Sequence, residues 1–152
     1  MYYIGIDPGK SGACAIIHLG RDGGREMEAF LWDDRAFIDK MSLIAHSGEQ
    51  RIACVEKVGA MPGQGVTSMF SFGKSAGFIE GVLCALAIPY QLVPPRVWKK
   101  AYSLGGDKGQ SVSVCQRLFP EVSLLPTPRC RKPSDGMAEA LLMAHYAERR
   151  LG

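Results

Sequence analysis

The sequence predicts a mixed α/β fold: a five-stranded sheet, antiparallel across its first three strands and parallel thereafter, with helices flanking it. Three observations carry that expectation. Three short apolar runs near the start, 2–6, 13–17 and 26–32, are joined by tight glycine-containing turns, the pattern of an antiparallel meander. A stretch with apolar residues at roughly helical spacing then precedes a fourth apolar run and supplies the crossover that parallel pairing with the first strand requires. Beyond it, helical patterns enclose one more short strand.

Taken in order, Tyr2-Tyr3-Ile4-Gly5-Ile6 reads as a buried strand in which Gly5 leaves one face without a side chain, and Asp7 ends it. Pro8-Gly9 turns the chain, because proline fixes φ and glycine accepts positive φ. Ala13-Cys14-Ala15-Ile16-Ile17 returns as the hairpin partner, and after a turn at 20–24, Glu26 to Trp32 forms the third strand. Asp33-Asp34 caps a helix carrying Phe37, Ile38, Met41, Leu43 and Ile44, which His46-Ser47-Gly48 ends. Arg51 to Glu56 is the fourth strand and, like the first, it finishes in an acid. The glycine-rich segment from Met61 to Gly73 is not a phosphate loop, because no Gly-Lys-Ser/Thr closes a GxxxxG frame. From Thr67 the pattern turns helical through Ala76, Ile79, Val82, Leu83 and Leu86, with Gly73, Gly77 and Gly81 on one face that would permit close packing. Tyr90 to Val93 is the fifth strand, stopped by Pro94-Pro95. A short helix begins at Arg96 and is broken by Gly105-Gly106, and Asp107 is placed to cap the next, which runs to Phe119. After a proline-rich loop from Leu124 to Pro133, Ser134 caps a final helix that opens with Asp135.

The 152 residues suit one domain spanning 1–152, and 47% hydrophobic residues are enough for a proper core. A net charge of +3 is too mild for a purely electrostatic DNA binder, although a cluster of acids would mask basic patches in that sum. Five cysteines, spread singly with no CxxC spacing, argue against a structural zinc site and for a reducing compartment. No leader-like start and no apolar run of about 18 residues is present, so no membrane partner is expected and the protein is read as soluble and cytoplasmic.

Four acids hold the chemistry. Asp135 and Glu139 are four apart, so they share a helix face, where like charges repel. Glu139 also lies among Met137, Ala138, Ala140, Leu141, Leu142 and Met143, and an acid embedded in an apolar helix needs a partner or exposure. A solvated acidic stripe that also caps the helix dipole explains that pair alone. Asp7 and Glu56, however, end two strands that the crossover makes neighbours. If the final helix packs across that end of the sheet, four carboxylates converge, and only hard cations would relieve the repulsion. Four acids would suffice for two such ions about 3.5–4 Å apart, the arrangement that stabilises attacking and leaving oxygens at a phosphodiester.

These residues carry a resemblance. Ile4-Gly5-Ile6-Asp7-Pro8-Gly9, Cys54-Val55-Glu56-Lys57-Val58, the segment Met61 to Gly73, and Ser134-Asp135-Gly136-Met137-Ala138-Glu139-Ala140-Leu141-Leu142-Met143-Ala144 are similar, in this order, to the motifs of RuvC-like Holliday junction resolvases, especially the compact phage and prophage type. The resemblance implies a ribonuclease H-like fold, a homodimer in a bacterial cell or phage-infected host, and Mg²⁺- or Mn²⁺-dependent nicking of two opposed strands at a four-way junction, with no small-molecule cofactor. Asp7, Glu56, Asp135 and Glu139 carry over as catalytic metal ligands. The final motif departs from the bacterial housekeeping members, which space two aspartates three apart.

Branched DNA as partner requires phosphate contacts. The candidates are Lys10, Lys57, Lys74, Arg96, Lys99, Lys100, Lys108, Arg129, Arg131 and Lys132, with the runs 99–100 and 129–132 better supported than single residues. By similarity to the family, an apolar residue after the glycine-rich segment wedges into the junction, with Phe70 the choice beside Met69, and Phe72 assigned to helix core. The glycine-faced helix is the candidate dimer seam. Trp32 and Trp98 read as core or interface residues. The competing readings are a ribonuclease H-like nuclease acting on flaps or single strands, which shares the four acids, and a non-catalytic DNA-binding relative, which would lack one. An actin-like ATPase fits poorly, since the chain is too short for two such domains and has no second phosphate loop.

Overall fold

The computed structural model describes residues 1–9, 12–31, 33–59, 63, 65–107 and 109–152. Its sheet runs β3-β2-β1-β4-β5, built from β1 (Tyr2–Asp7), β2 (Ala13–Leu19), β3 (Arg25–Leu31), β4 (Arg51–Glu56) and β5 (Tyr90–Val93). β1 and β2 pair antiparallel, as do β2 and β3, whereas β4 lies parallel to both β1 and β5. The helices are α1 (Asp34–Ala45), α2 (Val66–Ala85), α3 (Pro95–Ala101), α4 (Gln110–Leu118) and α5 (Asp135–Arg150). This is the mixed sheet expected from the sequence. No helix among the described residues is long and apolar enough to cross a membrane.

Two cores clothe the sheet. On one face, Ile4, Ile6, Cys14, Ile16, Ala53 and Val55 pack against Phe37, Met41 and Ile44 of α1 and Ile79 and Leu83 of α2. On the other, Tyr3, Ala13, Ala15, Ile17 and Cys54 meet α5, with Trp98 of α3 and Cys115 of α4 beside it. The alternation along each strand follows from the two-residue repeat of side-chain direction. β1 is hydrophobic on both faces because helices cover both.

α5 is positioned by its cap and by a glycine. The Ser134 hydroxyl accepts from the Met137 amide at 3.3 Å, and Asp135 in the first turn and Arg149 and Arg150 in the last suit the helix dipole. From Met137 to Ala147 the helix is buried at eight positions, four of them alanines small enough to let it lie flat on the sheet. At Gly5 the approach is closest: a Cβ there would sit 2.0 Å from the Ala140 carbonyl oxygen and 2.3 Å from the Ala144 amide nitrogen. Only glycine admits α5 at this distance.

One expectation is corrected. The cap of α4 is Gly109, at φ 95°, rather than Asp107, whose side chain instead accepts from the Gln110 side chain at 3.4 Å. The glycine face of α2, the candidate dimer seam, is open: Gly73, Gly77 and Gly81 are exposed, and a Cβ added at each would meet nothing within 4 Å.

Gly5→Ala should therefore force α5 off the sheet and lower stability by about 1–3 kcal/mol or more, the range for overpacked cores. An unchanged denaturant midpoint for this variant would contradict the close approach.

Candidate functional site

Strand register and parity bring Asp7 and Glu56 together. Ile6 pairs with Val55 across the parallel β1–β4 ladder, so Asp7 and Glu56 are the next residues on neighbouring strands. Tyr3 and Cys54 belong to the core beneath α5, and side-chain alternation sends Gly5, Asp7 and Glu56 to that same face. The seating of α5 on Gly5 through Ala140 then places Glu139, the preceding residue, at the same end of the sheet.

Each of these carboxylates is held by a different element. Asp7 Oδ1 accepts from the Gly9 amide at 2.9 Å, an Asx-type bond that follows from the Pro8-Gly9 turn. Glu56 Oε1 accepts from Trp98 Nε1 at 3.1 Å. Glu139 Oε1 accepts from the Ser111 hydroxyl at 3.0 Å and pairs with Lys99 Nζ at 3.0 Å. Lys99 Nζ also lies 5.1 Å from the centroid of the Trp98 ring.

The charges of the three acids act on one another. Burial pushes the Glu56 carboxyl up to about 7; the charge of Asp7 adds to this, the Trp98 N–H works against it, and Glu139 and Lys99 contribute smaller opposing effects. Asp7 is also raised, first by burial, with the Gly9 N–H opposing and the Glu139 charge reinforcing. A buried acid surrounded by acids holds its proton because its charged form loses water and meets like charge.

Asp135 stands apart. It is exposed in the first turn of α5, one turn toward the N-terminus from Glu139, and it is not among the charges that shift Asp7 or Glu56. Asp7, Glu56 and Glu139 are thus linked through their charges, and Asp135 lies exposed one helical turn from Glu139. Among the described residues, no three histidine, cysteine, aspartate or glutamate side chains stand close enough to enclose a metal ion unaided. A cavity of about 160 Å³ opens beside Glu139, between Lys99, Gly105, Gln110 and Ser111. A larger cavity of about 460 Å³ lies at the other end of β1, around Tyr2, His18 and Lys40, and touches none of the acids.

The predicted DNA contacts divide by exposure. Lys57, Lys74, Arg96, Lys100, Arg129, Arg131 and Lys132 are exposed, whereas half-buried Lys99 is engaged with Glu139. Lys10 and Lys108 lie outside the described residues, as do Trp32 and part of the segment from Met61 to Gly73. Phe70 is 76% exposed near the start of α2, while Met69 and Phe72 are half-buried. Trp98 and Ser111 were not anticipated as partners of the acids. The available signal was weak in both: a buried tryptophan needs an acceptor for its N–H, and a serine inside a helix needs one for its hydroxyl.

No protein-family model and no curated protein matches the sequence. Solved structures do match in fold. RuvC of Thermus thermophilus in complex with a Holliday junction substrate is 13% identical, with a TM-score of 0.59 over 100% of this chain and 97% of that one. A second structure of T. thermophilus RuvC gives 15% identity and a TM-score of 0.57 over 98% and 96%. The yeast mitochondrial Holliday junction resolvase Ydc2 gives 12% and 0.55 over 93% of this chain and 75% of that one. The chain therefore has the ribonuclease H-like fold of the RuvC resolvases, along its whole length.

The raised Glu56 value sets a pH dependence. Its ordinary value is 4.5, so the stabilising effect of its bound proton is complete below that and is lost as pH rises through about 7. In chelator, Glu56→Gln, which mimics the neutral acid, should melt higher than the parent at about pH 8 and lose that advantage by about pH 5. Thermal melts of both proteins across this range check it; an offset independent of pH would show that Glu56 does not titrate there.

Proposed function

We propose that this chain is a divalent-metal-dependent endonuclease that resolves four-way DNA junctions by paired nicks, acting as a homodimer. The observation that carries this reading is the pair Asp7 and Glu56, set side by side at the ends of two parallel strands with Glu139 over them, on a RuvC-type scaffold. The RuvC of like fold was solved with a Holliday junction substrate, which makes that substrate the first to test here.

The donor set fits a hard cation. Asp7 and Glu56 hold protons more tightly than ordinary acids because burial and mutual repulsion leave their charge poorly compensated. Mg²⁺ asks for only one or two carboxylates beside water and phosphate oxygens, so an enclosed protein cage is not needed. Asp7 and Glu56 are the pair that would hold Mg²⁺ or Mn²⁺, and Glu139 and Asp135, a turn apart on α5, are the acids available to a second ion. When bound, the metal supplies an acidified water and neutralises charge on the departing 3′-oxygen.

The protein's own residues do the rest. Lys99 and Ser111 fix Glu139, and the Gly9 amide fixes Asp7. Exposed Arg96, Lys100, Arg129, Arg131 and Lys132 offer charge to the DNA backbone, a contribution that weakens with salt. Phe70, exposed at the entrance of α2, is the side chain assigned to unstack bases at the junction centre. α2 also presents Val66, Phe70, Gly73, Gly77 and Gly81 outward, an apolar face with open glycines that suits the second copy. Two copies related by a two-fold axis would place one acid cluster on each of two opposed strands.

Wild-type protein with Mg²⁺ should nick a synthetic four-way junction symmetrically and in preference to a flap or plain duplex; equal cutting of all three would replace junction resolution with a broader nuclease activity. Asp7→Asn should reduce cleavage by well over the 10–100-fold typical of outer-shell changes while junction affinity in chelator stays within about twofold. Full-rate cutting by this variant would remove Asp7 from the site. Gly77→Arg should leave the melting temperature of the protomer intact, since its Cβ faces open space, and shift sedimentation from dimer to monomer. A dimer that survives this change would place the seam elsewhere.

A further inference from the structure

We propose that Trp98 is a positioning residue for the acid cluster: its indole N–H aims the Glu56 carboxylate, and its ring face steadies Lys99 on Glu139. This rests on the nuclease reading above and deepens it. Trp98 is fully buried, and a phenylalanine there would keep an apolar ring, though a smaller one, in the core. What phenylalanine lacks is the Nε1 donor, and here that donor goes to Glu56 Oε1 at 3.1 Å rather than to a backbone carbonyl. The bond fixes one oxygen of Glu56 and leaves Oε2 as the oxygen the indole does not claim. The same ring lies 5.1 Å from Lys99 Nζ, which in turn sits 3.0 Å from Glu139 Oε1. One side chain therefore bonds an acid of β4 directly and meets the lysine that pairs with an acid of α5.

The platform is rigid. Pro94 is the cap of α3 and Pro95 its first residue, so the helix starts at a fixed point directly after β5. At its other end the Tyr102 hydroxyl donates to the Leu142 carbonyl at 2.9 Å and ties α3 to α5. The β5–α3 junction is itself bound to β4 where Glu56 ends, through the Lys57 amide and the Val93 carbonyl at 2.9 Å. An outer partner held this firmly orients a ligating carboxylate before any ligand arrives, and loss of such partners typically costs about 10–100-fold in metal affinity or activity.

The test uses the full-length protein labelled with ¹⁵N. The chain has two tryptophans, so two indole N–H signals are expected, and Trp98→Phe identifies one of them by its loss. Addition of Mg²⁺ should move the Trp98 signal saturably, and Glu56→Ala should shift it and abolish that response. In cleavage assays Trp98→Phe should raise the Mg²⁺ concentration for half-maximal rate by about tenfold and lower kcat, with junction affinity in chelator unchanged, a split that lost packing alone would not produce. If Trp98→Phe does not fold, Trp32→Phe makes the assignment and Glu56→Ala carries the test. A Trp98 signal indifferent to both Mg²⁺ and Glu56→Ala overturns the proposal, as does Trp98→Phe with wild-type metal dependence; in either case junction cutting by the wild type keeps the nuclease reading. A wild type that cuts no DNA while the Trp98 signal responds as expected does the reverse: the positioning of Glu56 stands and the nuclease reading falls.

Discussion

The contact between α5 and the backbone of β1 at Gly5 is the constraint on which the remaining geometry depends. A helix normally stands off a sheet by the length of its side chains and those of the strand. Here the strand contributes none at Gly5, and the helix contributes mostly alanines on that side, so the two backbones come together. The close seat fixes both the height of α5 and its rotation about its own axis. Rotation matters most, because Glu139 sits next to Ala140, the residue at the point of closest approach. A small turn of the helix would carry that acid toward the buried core or out to solvent. A packing requirement in the middle of the sheet thus decides where charge stands at its end.

The acids are then kept from collapsing on one another by partners that each take a single oxygen. Gly9 donates to Asp7, Trp98 to Glu56, and Ser111 and Lys99 to Glu139. Lys99 offsets one of these charges; the neutral donors only organise the rest. Buried acids with raised proton affinity are a local instability that the hydrophobic cores on either side of the sheet must offset. Such instability is informative, because folding alone gives no reason to assemble it.

Much of this architecture is visible in the sequence, and the parts that are not share a cause. Strand ends, caps at Asp33 and Ser134, and the crossover all follow from local chemistry: short apolar runs, turn formers, and acids that accept from helix amides. Asp7 and Glu56 are legible as neighbours because parallel pairing leaves little choice of register. The role of Trp98 is not, since the acceptor for its N–H lies 42 residues earlier in the chain, and Ser111 reaches Glu139 across 28. Asp107 looks like a cap by residue type, yet the chain turns through the left-handed region at Gly109, where glycine is favoured over an acid with a Cβ. The glycines of α2 signal close packing correctly in chemistry but do not say against what, and within the protomer they face outward. Asp135 shares a helix face with Glu139 by spacing and is exposed in the first turn of α5.

The three grouped acids come from the beginning, the first half and the last helix of the sequence. Pairing of β1 with β4 brings two of them side by side, and the third is supplied by α5, so the cluster needs both the strand pairing and the docked helix. A chain still folding, or one whose last helix has come loose, has no assembled cluster at all. The order of segments acts as a safety catch: the molecule is armed only once it is whole.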